Sequence, residues 1–414
     1  YGQNGGLVEI DGAARWGKHL WLYKQIMGNL TDFSRTTRFD AGISWWSWYR
    51  WVAERYATPE MLAFSHVATH MHVGFSDQGM TYNQHAPVIK LAEGATEEQH
   101  LELLGVLNSS TACFWLKQVC HDKGNRGEGG GITSAGWERF FEFTGTKLQE
   151  FPLPAALPLS LGRQLDSLAQ DGAGYEPFAV TVTCTPTRAR FDEARAAHAA
   201  TRARMIALQE ELDWAVYCSY QLLTPYEVAR TSMPNDAVIP EVALGERAFE
   251  IVLARKVAAG EAETAWFERH GSTPVTEIPA HWPDEYKAVV QARIDIINSR
   301  KDIALIERPE YKRRWASEPW EKKEKQALRT WLLDRCEDEN LWFGLRDGFR
   351  APRTLTVSQL ADALRQDADV QSVAELYAAD HMGKRDATLA TVLAGILATE
   401  HVPYLAALRY KDSG

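Results

Sequence analysis

The chain has no run approaching the roughly twenty consecutive apolar residues that a bilayer-spanning helix needs, so no membrane-embedded protein is expected. Cysteine is scarce: Cys113, Cys120, Cys184, Cys218 and Cys336 are an odd number, widely scattered and without a Cys-x-x-Cys pair. That usage excludes a disulfide scaffold and suits free thiols in a reducing cytoplasm. No Gly-x-x-x-x-Gly-Lys-Ser/Thr loop is present, which argues against a nucleotide hydrolase. Gly172-Ala173-Gly174-Tyr175 is too short and wrongly placed for a dinucleotide or S-adenosylmethionine loop. There is no internal repeat, heptad series or low-complexity tract. Tyr1-Gly2-Gln3-Asn4-Gly5-Gly6 lacks an initiator methionine and a basic-then-apolar signal pattern, and the chain stops as abruptly at Lys411-Asp412-Ser413-Gly414. The expectation is a piece of something larger.

What is present is the composition of a soluble globular protein, 45% hydrophobic and 24% charged over 414 residues, long enough for two or three domains. The net charge of −10 excludes wrapping nucleic acid with the whole surface, because each neutralised phosphate needs a Lys or Arg beside it. Any nucleic-acid face must be local. Residues 300–330 hold ten Lys/Arg against six Asp/Glu, whereas residues 1–158 are nearly balanced but carry seven of the twelve histidines.

Short apolar segments broken by turn residues between Leu62 and Leu91 predict strands. Thr96 then sets up a helix: its hydroxyl can cap the free amides, Gln99 can reach back, and Glu97 and Glu98 suit the positive end. Leu103, Leu104, Leu107, Thr111, Phe114 and Trp115 fall on one broad face, so the helix is expected to run to about Cys120 and to pack on a sheet. Gly124, Gly127, Gly129, Gly130 and Gly131, with Lys123 and Arg126 among them, predict a loop that is costly to order without a ligand. Pro152, Pro154 and Pro158 close this part. A second helix is predicted over 192–223, a rod of about 45 Å at 1.5 Å per residue, stopped by Thr224-Pro225 and placed as a connector. Beyond it helical periodicity dominates: 284–298, 320–335, a Thr356-capped helix with Gln359 at the reach-back position, and two or three helices over 370–410.

Each cluster of chemistry-bearing residues has a bland reading beside the functional one. His70 and His72, with His66 nearby, share one face of a predicted strand and invite a metal, but a third ligand and a supporting carboxylate are not evident, which favours histidines that hydrogen-bond neighbours or a ligand. Trp45, Trp46, Trp48, Tyr49, Arg50 and Trp51 could stack bases, yet such clusters more often lock a core. Lys312-Arg313-Arg314-Trp315 reads equally as a phosphate grip or as a solvated helical face. Ser109-Ser110 lacks the Gly-x-Ser-x-Gly elbow and reads as close packing in a helix.

Several segments resemble a known family: Val67-Ala68-Thr69-His70-Met71-His72, Ala86-Pro87-Val88-Ile89-Lys90-Leu91, Leu103 to Gln118, Ile132 to Pro154, and Glu211-Leu212-Asp213-Trp214 with Tyr217 and Tyr220. Ala265-Trp266-Phe267-Glu268-Arg269-His270-Gly271 and Ile306-Glu307-Arg308-Pro309-Glu310-Tyr311 fit the same relatives. The chain resembles the region after the catalytic domain in the PglX family, the adenine-specific DNA methyltransferases of bacterial phage-exclusion (BREX, type 2) systems. The resemblance implies a specificity module of the restriction–modification kind. In the parent enzyme the catalytic domain would move a methyl group from S-adenosylmethionine to adenine N6, using an Asn-Pro-Pro-aromatic tetrapeptide on a base taken out of the duplex. No such tetrapeptide occurs here, and Met233-Pro234-Asn235-Asp236 has the wrong order. Two departures stand out: Met71 where relatives often carry Asn, expected to alter a recognition contact, and Gln221 where a Gly commonly follows the Tyr, expected to weaken the helix stop.

The expected fold is α+β: a target-recognition-type domain with a mixed β-sheet over 1–160, a linker and long connecting helix over 161–225, and a mostly helical C-terminal domain over 226–414. The expected partner is double-stranded DNA, with no cofactor in this segment and no catalytic residue. His70, His72, Asn83, Lys123, Arg126 and Arg139 are expected nearest the bases, and Lys312, Arg313 and Arg314 at phosphates. The rival reading is a protein-docking module that assembles a multi-component phage-exclusion complex. A third, a metal-dependent hydrolase built on the histidines, has less behind it.

Overall fold

The computed structural model describes residues 6–399 apart from 11–16, 18–19, 32–34, 49–59, 78–79, 81, 125–134, 235–237 and 347. Arg126, most of the glycine-rich loop, Tyr49, Arg50 and Trp51 therefore lie outside the described residues. The strands predicted between Leu62 and Leu91 are β1 (Met61–Phe64), β2 (Val67–Ala68), β3 (Val73–Ser76) and β4 (Val88–Ile89). With β5 (His121–Gly124) and β6 (Phe140–Glu142) they form two small sheets, ordered β3-β1-β4 and β2-β6-β5. Among the described residues all pairings between these strands are antiparallel, including the later hairpin of β7 (Phe343–Arg346) and β8 (Phe349–Pro352). Small antiparallel sheets among dominant helices make the fold α+β, as the sequence reading had it.

Helix α1 (Glu97–Leu107) starts as predicted: Thr96 Oγ1 accepts from the Gln99 amide while Gln99 Oε1 accepts from the Thr96 amide at 3.0 Å. It does not run to Cys120. The chain breaks at Asn108, and Ser109 caps a new helix, α2 (Ser110–Val119), by accepting from the Ala112 amide. The cause lies in the sheet. The Asn108 amide imitates a strand neighbour, accepting from the Val73 N–H at 2.9 Å and donating to the Val73 carbonyl at 2.9 Å, so its residue serves the edge of β3 instead of continuing a helix.

Helices α3 (Leu159–Gly174) and α4 (Pro177–Thr183) lead into α5 (Arg188–Ser219), 32 residues and so about 48 Å long. α5 is more than a connector. Every residue from Ile206 to Trp214 is buried, so water is excluded from its whole circumference there. Its side chains enter all three apolar cores: Leu208, Leu212 and Val216 under the first sheet, Ile206, Ala207, Trp214 and Tyr217 in the central core, Phe191 and Ala194 in the C-terminal one. The helix ends four residues before Leu223. The Leu222 amide bonds to the Tyr217 carbonyl at 2.9 Å and the Gln221 amide to the Cys218 carbonyl at 2.8 Å, with Gln221 at φ 57°. This turn needs a left-handed residue, the position where a glycine costs nothing and glutamine is strained.

The rest is helical: α6 (Ala248–Ala258), α7 (Asp284–Ser299), α8 (Trp320–Cys336), α9 (Val357–Leu364), α10 (Ala368–His381) and α11 (Leu389–Leu397). The Thr356–Gln359 box opens α9 as read from the sequence. α6 and α7 pack on the central part of α5, whereas α8 to α11 close the C-terminal core around Leu328, Leu332, Leu360 and Val373. Among the described residues no helix is long and apolar enough to cross a membrane.

Candidate functional site

Four parts of the chain meet around one cleft: the β2–β3 connection, α3 with the first half of α5, the extended segment from Arg313 to Ser317, and the start of α8 with Lys323. His70 and His72 lie in that connection, outside the strands, so their shared face comes from packing and not from strand alternation. His70 sets Nε2 against the Tyr311 carbonyl at 2.9 Å and Nδ1 against that of Met71 at 2.6 Å. This ties the connection to a segment 241 residues away. Beneath it the Cys113 thiol is fully buried. Burial pushes it up, but the charges of His70 and Lys117 and the hydrogen bonds from His70 and Met71 outweigh that and bring it down to about 7.

Arg313 Nη2 lies 3.2 Å from His72 Nε2, so the ring nitrogen accepts and the guanidinium donates. One edge of His72 is open to the cleft, yet the Arg313 charge first, then the protein massed around the ring, then His70, hold the imidazole well below its usual range. At neutral pH His72 is thus an uncharged acceptor that aims Arg313. The Arg313 guanidinium lies 4.4 Å from the Trp315 ring centre, and burial brings it down to about 10 against the pull of Asp213. Arg314 donates to Thr69 Oγ1 at 3.2 Å and His270 Nε2 at 3.3 Å, over the Trp137 ring. From α5, Arg202 donates to the Trp315 carbonyl and to Ser317 Oγ at 3.3 Å. Lys323 and His198 share Glu176 at 2.6 and 3.2 Å. The cleft encloses about 510 Å³.

Of the residues singled out in the sequence, His70, His72, Arg313 and Arg314 converge here. Asn83, exposed in the β3–β4 connection, accepts from the His85 amide at 2.9 Å and does not line the cleft. Neither do Lys123 and Arg139, which are held on the second sheet by Glu142, at 2.5 Å, and by Asp122.

Two expectations need correcting. Lys312 is no phosphate contact: it is 0% exposed, with its ammonium 2.7 Å from Asp213, 3.1 Å from Glu210 and 3.1 Å from Glu307. Ser110 and Tyr217 complete that network, donating to Asp213 at 2.6 Å and to Glu307 at 2.5 Å. Burial pushes the Glu210 carboxyl up, opposed by Lys312 and reinforced by Glu307. Met71 makes no recognition contact either, being 1% exposed in the core under the first sheet.

Arg202, His198 and Lys323 escaped the sequence reading because two of them sit in a helix read as a connector. A signal existed: Arg195, His198 and Arg202 recur at helical spacing through an alanine-rich stretch, a polar stripe on one face. Among the described residues no group of three or more His, Cys, Asp or Glu is arranged to hold a metal ion.

Comparison with known proteins bears on the whole chain. Residues 205–414 match the family model described as a domain of unknown function, DUF7008. The full chain is 49% identical to the adenine-specific methyltransferase PglX of Streptomyces coelicolor (strain ATCC BAA-471 / A3(2) / M145), covering 100% of this chain and 34% of that protein. The chain therefore spans about a third of the length of the curated relative it matches, in that relative's C-terminal part. No solved structure matches. The chain belongs to the DUF7008 family and, over its full length, is a relative of the C-terminal region of the PglX methyltransferase.

Proposed function

We propose that this chain is the DNA-recognition portion of an S-adenosylmethionine-dependent adenine-N6 DNA methyltransferase of bacterial phage defence, acting in the cytoplasm. Its partner is double-stranded DNA. Methyl transfer belongs to a catalytic part outside this segment, and the segment itself holds no cofactor. The observation that supports this most is the convergence of Arg202, Arg313 and Arg314 with His70 and His72 on one cleft, in a chain whose net charge of −10 leaves few other places for a phosphate backbone. Polar side chains with fixed forks, such as Arg313 aimed by His72, are the type that reads base edges and phosphates.

Fluorescence anisotropy with a labelled duplex tests the reading. Affinity is expected to fall steeply between about 50 and 200 mM salt, with a slope near −0.9 per phosphate contacted. Binding that ignores salt, or no binding at the lowest salt, refutes it. The chain alone is expected to transfer no labelled methyl group to DNA.

A second reading, a docking module for other phage-exclusion proteins, has one observation in its favour. The β7–β8 hairpin exposes Leu345 (84%) and Phe349 (77%), apolar side chains that water does not favour. A double L345S/F349S variant that loses partners from a reconstituted phage-exclusion complex while keeping duplex affinity would favour this reading for the hairpin.

A further inference from the structure

Among the described residues the two fully buried guanidiniums are each paired with a carboxylate. Arg247 forms a two-pronged pair with Glu250, both bonds at 2.8 Å, and Arg293 does the same with Glu211 at 2.8 and 2.6 Å. Arg202 and Arg313, which line the cleft, are not paired in this way. Each is half-buried, and among the described residues neither has a carboxylate within ion-pair distance. Their bonds go to neutral acceptors: the Trp315 carbonyl and Ser317 Oγ for Arg202, His72 Nε2 and Gln209 Oε1 for Arg313. The one carboxylate lining the cleft among the described residues, Glu176, is already claimed by Lys323 and His198.

We propose that this cleft is a binding site for a phosphate ester, its oxyanion held between the Arg202 and Arg313 guanidiniums. A guanidinium carries five N–H donors, and each of these two spends two of them on the neutral acceptors, so donors remain for a ligand. Taking a charge out of water without a counter-ion is costly, and an entering anion that reaches either guanidinium offsets that cost. Phosphate offers several oxygens to a planar fork, the match that favours arginine over lysine. The rest of the ester has room: the cleft measures about 510 Å³, within the range of sites for nucleotide-sized molecules. Its lining also includes the apolar side chains of Ala169, Ala173, Met205 and Ala316. The same chemistry serves a free nucleotide or a phosphodiester of a DNA strand, and the inference does not depend on the DNA reading above.

Calorimetric titration of the whole chain with deoxyadenosine monophosphate, deoxyadenosine and a short duplex separates these sources. The unmodified chain is expected to bind the monophosphate saturably and at least about tenfold more tightly than the nucleoside, the effect of one charge-assisted contact. R202Q and R313Q, each checked for an unchanged melting temperature, are expected to lose that preference. If the monophosphate binds in this way and the duplex does not, the phosphate site stands and the DNA reading fails. If the duplex binds both variants with the affinity and salt slope of the parent, DNA lies elsewhere and the DNA reading of this cleft fails; if both variants keep the monophosphate preference, the phosphate site is overturned. Failure of the unmodified chain to distinguish monophosphate from nucleoside overturns it without recourse to any variant.

Discussion

Replacing Lys312 by methionine separates two opposed pictures of the same residue. If Lys312 gripped phosphate from the surface, K312M would lower DNA affinity and leave stability alone. Its ammonium instead stands 2.7 to 3.1 Å from three carboxylates with no solvent exposure. At an effective dielectric constant of about 20, each ionised partner at that range contributes roughly 5 kcal/mol of gross attraction, most of which offsets the desolvation of the ions. Removing the cation leaves the desolvation of Asp213 and Glu307 uncompensated, so the expected loss is about 3–5 kcal/mol, a large part of the 5–15 kcal/mol typical of a folded domain. Methionine fits the space, so no cavity term confuses the result. Urea titration followed by tryptophan fluorescence reads the effect: with a slope near 3 kcal/mol/M, the midpoint falls by roughly 1–1.7 M. Neutralising Asp213 in the same chain is expected to recover part of the loss. A loss below about 1 kcal/mol in K312M would refute the buried-network account.

Three further outcomes are expected. Burial first, then Glu97 and Asp77, push the Asp166 carboxyl up to about 6, so the folded chain holds that proton more tightly than the unfolded one. Stability is therefore lost as pH rises from about 4 through 6 and stays lowered above, and D166N should gain roughly 1–2 kcal/mol at pH 7.5 but nothing at pH 4; an equal gain at both would sink the argument. A Cβ at Gly162 would sit 2.4 Å from the Leu101 carbonyl oxygen where α3 crosses α1, so G162A should cost about 1–3 kcal/mol, measured as a lower melting temperature. Gln221 at φ 57° is strained, and Q221G should stabilise by about 0.5–1 kcal/mol; a destabilised variant would show that its side chain contributes more than its backbone costs.

Local signals were legible in the sequence because their cause lies within a few residues. The Thr96–Gln99 and Thr356–Gln359 boxes, the helices at Asp284–Ser299 and Trp320–Cys336, and the strands between Leu62 and Leu91 all depend on neighbours along the chain. The relationship to PglX was legible too, being a property of residue order. The break at Asn108 was not, because it is set by the edge of a strand 35 positions earlier. Nor was the role of the Lys312-Arg313-Arg314 run, in which consecutive cations have different fates. Lys312 turns inward to Asp213, 99 positions away, while Arg313 and Arg314 face the cleft opposite His72 and Thr69, more than 240 positions away. Sequence determined which residues carry charge and which segments coil. Whether a charge meets water, a counter-ion or a cleft was decided by the tertiary structure alone, since burial and pairing depend on groups that only folding brings within hydrogen-bond reach.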